Sequence, residues 1–139
     1  MKKLVLAGVL SLIVLTGCGK KENVVCTMTN KMNGITVDTT ANISLNGSRL
    51  AGMNVEYDII LPESIQSNKQ AAISLLEKTY KNYGEKVGAT IETTETEKGA
   101  KVTLSMTAEQ AKNFSGSKND KASKKDVIEI FGKQGFECK

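Results

Sequence analysis

The sequence predicts an α+β fold: an antiparallel sheet, made of a three-strand meander, a second hairpin and a short terminal strand, packed against a long central helix and a C-terminal helix. Three observations predict it. From Val24 onward apolar and polar residues alternate with period two, the mark of half-buried strands. Two Asn-Gly pairs, Asn33-Gly34 and Asn46-Gly47, stand where tight reversals are needed, because both residue types tolerate positive φ. Between Ser64 and Tyr83 the apolar spacing becomes helical.

The meander comprises strands over about 24–32, 35–45 and 48–61. In ITVDTTANISL, Ile35, Val37, Thr39, Ala41, Ile43 and Leu45 form an inward face, and Thr36, Asp38, Thr40, Asn42 and Ser44 an outward one. Counting back from the first turn pairs Met32 with Ile35, Met28 with Thr39 and Cys26 with Ala41, so Cys26 points inward. Counting across the second turn pairs Ile43 with Leu50, yet the later apolar set is odd: Met53, Val55, Tyr57, Ile59 and Leu61. A one-residue slip turns every side chain over, so a β-bulge is predicted near Ala51-Gly52.

Pro62 ends the third strand, and Ser64 or Ser67 is a candidate cap for a helix running to about Tyr83. Ala72, Leu76, Thr79 or Tyr80, and Tyr83 form its apolar stripe, and Gly84 is the predicted stop. Strands over about 87–96 and 100–106 follow, reversing at Glu97-Lys98-Gly99, with Val102, Leu104 and Met106 on one side. Thr107 with Gln110 is a capping-box pattern for a short helix, and Ser123 with Asp126 starts another. Val127, Ile128 and Phe131 are its predicted stripe, and Gly135 closes it. FECK reads as a terminal strand with Phe136 and Cys138 on one face.

The amino terminus has its own logic. Lys2 and Lys3 precede an apolar run, Leu4 to Leu15, that is short of the roughly 20 residues a spanning helix needs and has the size of a signal-peptide core. It ends on Leu15, Thr16, Gly17 and Cys18, which resembles the bacterial lipobox. That resemblance implies cleavage before Cys18, a diacylglyceryl group on its sulfur and often a further acyl chain such as palmitate on the new amino terminus. The alternative is an ordinary secretory signal with Cys18 incidental. On the lipobox reading, residues 1–17 are signal peptide, 18–23 a lipidated tether and 24–139 one domain, held at the extracytoplasmic face of a cell membrane. Two or more acyl chains anchor stably where one does not.

Export sorts the remaining cysteines. With Cys18 lipidated, Cys26 and Cys138 are an even pair in an oxidising compartment, both on apolar strand faces, and a disulfide between them is expected. The other reading is two free buried thiols.

NGITV at the start of the second strand and KQGFEC at the end of the chain, with the lipobox and the order of elements, resemble the YehR-like small bacterial lipoproteins. The resemblance covers most of the mature chain. It implies an α+β fold and supplies no catalytic residues.

Residue chemistry narrows the function classes. Removing Lys2 and Lys3 from 19 basic residues leaves 17 against 15 acidic ones, a net charge of +2, too small a bias for nucleic acid. The chain has no histidine, which removes the commonest general base and metal ligand. Glu92 falls on the face opposite Glu95 and Glu97, so these carboxylates do not converge on a metal; Glu56 and Asp58 share one outward strand face and frame no cleft. No G-x-S-x-G elbow occurs, and Ser123 reads as a helix cap rather than half of a serine–lysine pair. No cofactor is expected.

Lys118, Lys121, Lys124 and Lys125 gather around Asp120 and are candidates for contact with anionic lipid headgroups or an envelope polymer; a solvated loop is the plainer reading. No aromatic residues interleave with them, as single-stranded nucleic acid would require. The expectation is a membrane-anchored, non-enzymatic lipoprotein with a binding or envelope structural role and an envelope protein or polymer as candidate partner. The alternative is a small envelope enzyme or solute-binding accessory subunit, for which Lys and carboxylate groups should converge in a cleft.

Overall fold

Strand alternation builds a six-stranded antiparallel sheet. The computed structural model describes residues 21–115 and 121–139; Leu15, Thr16, Gly17 and Cys18, expected as a lipobox, and also Lys118, lie outside them. The strands are β1 (Lys21–Met32), β2 (Ile35–Asn46), β3 (Arg49–Ile60), β4 (Thr90–Glu95), β5 (Gly99–Thr107) and β6 (Glu137–Cys138), ordered β4-β5-β3-β2-β1-β6. Helices α1 (Glu63–Gln66), α2 (Lys69–Val87), α3 (Ala108–Ser115) and α4 (Lys124–Lys133) complete the α+β arrangement.

The first turn sets the register. Asn33 (φ 52°) and Gly34 (φ 79°) form a two-residue turn that pairs Met32 with Ile35, Met28 with Thr39 and Cys26 with Ala41, as the sequence predicts. At the second turn the central residues are Gly47 (φ 64°) and Ser48, not Asn46-Gly47, so Leu45 rather than Ile43 opposes Leu50. The shift lets Leu45 and Leu50 both face inward. The bulge lies where expected: Gly52 opposes Ser44, leaving Ala51 as the extra residue, and Ile43 then meets Met53. β1 begins at Lys21, so three residues expected in the tether, Lys21, Glu22 and Asn23, belong to the sheet because β2 extends far enough to pair with them.

Inward residues line up across the strands. Cys26, Ala41, Val55, Leu104 and Ile91 form one continuous row, and Val24, Ile43, Met53 and Met106 another. This face holds the core, in which Val24, Cys26, Ala100, Val102 and Leu104 are completely buried. α2 covers β4 and β5, α3 sits on β3 and β5, and α4 on β1 and β6. No described element covers the other face, whose residues are mostly polar, including Thr27, Thr40 and Thr103 in one row and Asp38 directly opposite Asp58 in the next.

The helices depart from expectation in three places. Neither Ser64 nor Ser67 caps α2; Ser64 lies in α1, and α2 follows Asn68 without a side-chain cap. Lys69 instead ties this end down, its Nζ donating to the carbonyls of Thr96 (2.5 Å) and Glu97 (2.8 Å). Gly84 does not stop α2. It is buried in the last turns, where a Cβ would overlap Ile91 Cδ1, and left-handed Gly88 ends the helix instead. This delays β4 to Thr90. Third, Ile128 is on the exposed side of α4, and only Val127 and Phe131 of its expected stripe are buried.

Both predicted capping boxes form. The Thr107 N–H donates to Gln110 Oε1 (3.0 Å) and the Gln110 N–H to Thr107 Oγ (3.3 Å). The Asp126 N–H donates to Ser123 Oγ (3.1 Å) and the Ser123 N–H to Asp126 Oδ2 (3.2 Å). Cys26 and Cys138 are disulfide-bonded directly across the β1–β6 pair. Around that bond, Val25 and Lys139 exchange backbone hydrogen bonds of 3.1 and 2.9 Å.

Candidate functional site

Three helices do not cover a six-stranded sheet completely. Between α2 and α4, over the first-turn half of β1, β2 and β3, the inward face is left open as a groove of about 520 Å³. Its floor is small or branched: Ala41, Thr39, Val37, Ile35 and Val55. Tyr57 and Tyr80 form one wall, with ring centroids 5.0 Å apart, and Phe131 and Phe136 the other, edge to face at 5.3 Å. Met28 and Met32 line the outer end, where Met32 is 73% exposed. Thioether side chains adapt to irregular apolar shapes.

The polar groups in the lining are uncharged: Asn30, Asn33, Thr39 and Gln134, with the two tyrosine hydroxyls. Burial, with smaller contributions from the neighbouring Tyr83 and Tyr80, pushes the Tyr57 phenol up to about 12. Burial raises Tyr80 and Tyr83 as well, so all three phenols stay neutral across physiological pH. At neutral pH the described lining therefore presents no charged side chain. It offers apolar area, aromatic faces and a few uncharged hydrogen-bond partners, which is the usual make-up of a small-molecule pocket of this size.

A second hollow of about 360 Å³ lies between α3 and α4 at the opposite end of the sheet. Phe131 borders both hollows, and Lys121, Asp126, Glu129 and Lys133 rim this one. Among the described residues no group of three or more Cys, Asp or Glu side chains is placed to hold a metal. Glu95 is engaged elsewhere: hydrogen bonds from Gln70 Nε2 (2.9 and 3.1 Å) and from Lys69 hold its carboxyl below the usual range. Glu56 pairs with Lys101 at 3.4 Å on the open face.

The groove is not where the basic residues are. The Lys121 backbone pairs antiparallel with that of Arg49 beside the second turn, and Lys124 and Lys125 open α4 at that same end. Alternation places Val37, Val55 and Tyr57 on the inward face, but nothing in it marks which part of that face the helices leave bare. Among the described residues no helix is long and apolar enough to cross a membrane. Compared with models of protein families, with curated proteins and with solved structures, the chain gives no match.

Proposed function

We propose that this chain is a lipid-anchored bacterial lipoprotein, related to the YehR-like group, that acts at the extracytoplasmic face of a membrane by binding rather than by catalysis. The groove between α2 and α4 is its binding site, and its ligand is uncharged, slender and mainly apolar, of the acyl-chain type. The observation that supports this most is the composition of the groove, with aromatic walls, a methionine-lined mouth and, among the described residues, no charged side chain. A charged ligand would lose its hydration there without gaining a counterion. The anchor reading rests on Leu15-Thr16-Gly17-Cys18 after a short apolar run.

Fluorescence titration with the neutral apolar dye N-phenyl-1-naphthylamine tests the groove. Saturable binding at one site is expected, and Val37→Phe, which extends a ring from the floor into the groove, should weaken it at least tenfold while leaving the fold intact. A dye signal that never saturates, or one indifferent to Val37→Phe, removes the groove from consideration.

A further inference from the structure

We infer that the second-turn end of the sheet is a docking surface for anionic lipid headgroups, which stands the domain upright and presents the groove away from the bilayer. The inference builds on the lipid-anchored reading and adds an orientation to it. Its first support is chain length. Cys18 and Lys21 are three residues apart, a span of at most about 11 Å, and Lys21 is already paired in the sheet opposite Asn46. The Debye length at physiological salt is about 8 Å. Even at full extension the tether exceeds that length only slightly, so an anchor on Cys18 keeps this end of the sheet close to the headgroup charges.

The second support is the charge at that end. Lys21 starts β1 there, Arg49 starts β3 there and is bridged to Lys121, and the Ala122 N–H donates to the Ser48 carbonyl (2.9 Å), which brings Lys124 and Lys125 to the same rim. Lys86, in the last turn of α2, belongs to this end as well. The acidic residues here are Glu22, Glu85, Glu109 and Asp126, the last engaged with Ser123. At the first-turn end, by contrast, Glu63, Glu95 and Glu97 balance Lys31, Lys69 and Lys98, with no basic excess.

The geometry then places the groove. β1 is 12 residues long, so Met32 lies about 37 Å from Lys21 along the strand. With the basic end on the headgroups, the mouth at Met28 and Met32 faces outward, where a ligand can arrive from solution or from a partner in the envelope.

The test uses the full chain, expressed in bacteria, purified in detergent and reconstituted into vesicles of phosphatidylcholine alone or with phosphatidylglycerol. Amide hydrogen exchange should slow at residues 46–49 and 121–125 in the anionic vesicles and not in the neutral ones. Each Lys→Gln change at Lys21, Lys124 or Lys125 should lower the docked-to-undocked ratio about fivefold. A chain that floats with both kinds of vesicle but exchanges identically in them overturns the orientation and leaves the anchor standing. A chain that floats with neither overturns the anchor, and the orientation with it.

Discussion

Tyr57 shows how one residue carries both packing and electrostatics. It occupies an inward position of β3, packs against Tyr80 with the two rings tilted by 40°, and has its phenol held at about 12 by burial and by the nearby Tyr83 and Tyr80. A phenol whose ionisation is disfavoured in the folded chain stabilises the fold fully below its ordinary value of 10.0; that contribution is lost as the pH rises from there through about 12. The chain has three tyrosines and no tryptophan, so its near-ultraviolet absorbance reports phenol ionisation directly. An alkaline titration of the folded protein should show one phenol ionising near 12, and Tyr57→Phe should abolish that step and flatten the loss of stability above pH 10. A single unshifted step for all three tyrosines would contradict this packing.

At the scale of elements, the meander is readable in advance because its constraints are local. Asn33-Gly34 admits one register, and the parity conflict between Leu50 and Met53 demands an extra residue where Ala51 supplies it. The capping boxes are equally local, each completed within four residues. What resists reading is tertiary. Gly84 looks like a helix stop, but its lack of a side chain is used for close approach to Ile91 on β4, a contact that no local pattern announces. Alanine normally improves a helix interior over glycine by about 1 kcal/mol. At this position Gly84→Ala should instead destabilise, by about 1–3 kcal/mol as overpacking does, and Ile91→Val in the same chain should recover part of the loss by removing the overlapping Cδ1. Urea denaturation of the two variants checks both signs. The groove is hidden for the same reason, since it exists where α2 and α4 do not meet.

For the whole molecule, closure is the dominant feature. The Cys26–Cys138 bond joins residues 112 apart and clamps a two-residue strand onto β1. The chain-entropy account assigns a loop of this size about 4.7 kcal/mol, a large part of the 5–15 kcal/mol typical of a domain. Reduction, or Cys26→Ala with Cys138→Ala, should lower unfolding stability by about 2–5 kcal/mol and free the Val25 and Lys139 amides to exchange before the rest of the sheet. Unchanged stability would show that backbone pairing with β1 and the packing of Phe136 on Phe131 hold β6 without the bond. The uncovered side of the sheet has a different outcome. Copies confined to one leaflet, as proposed, would meet broadside, and the uncovered sheet face is a surface they could present to each other. Drying it would strip water from Asp38, Glu56, Asp58 and Glu92 and from Lys21, Lys31, Arg49 and Lys101, a cost that ion pairs between copies repay only where their geometry is excellent. On the proposed anchoring, copies crowded into one leaflet are therefore expected to stay separate.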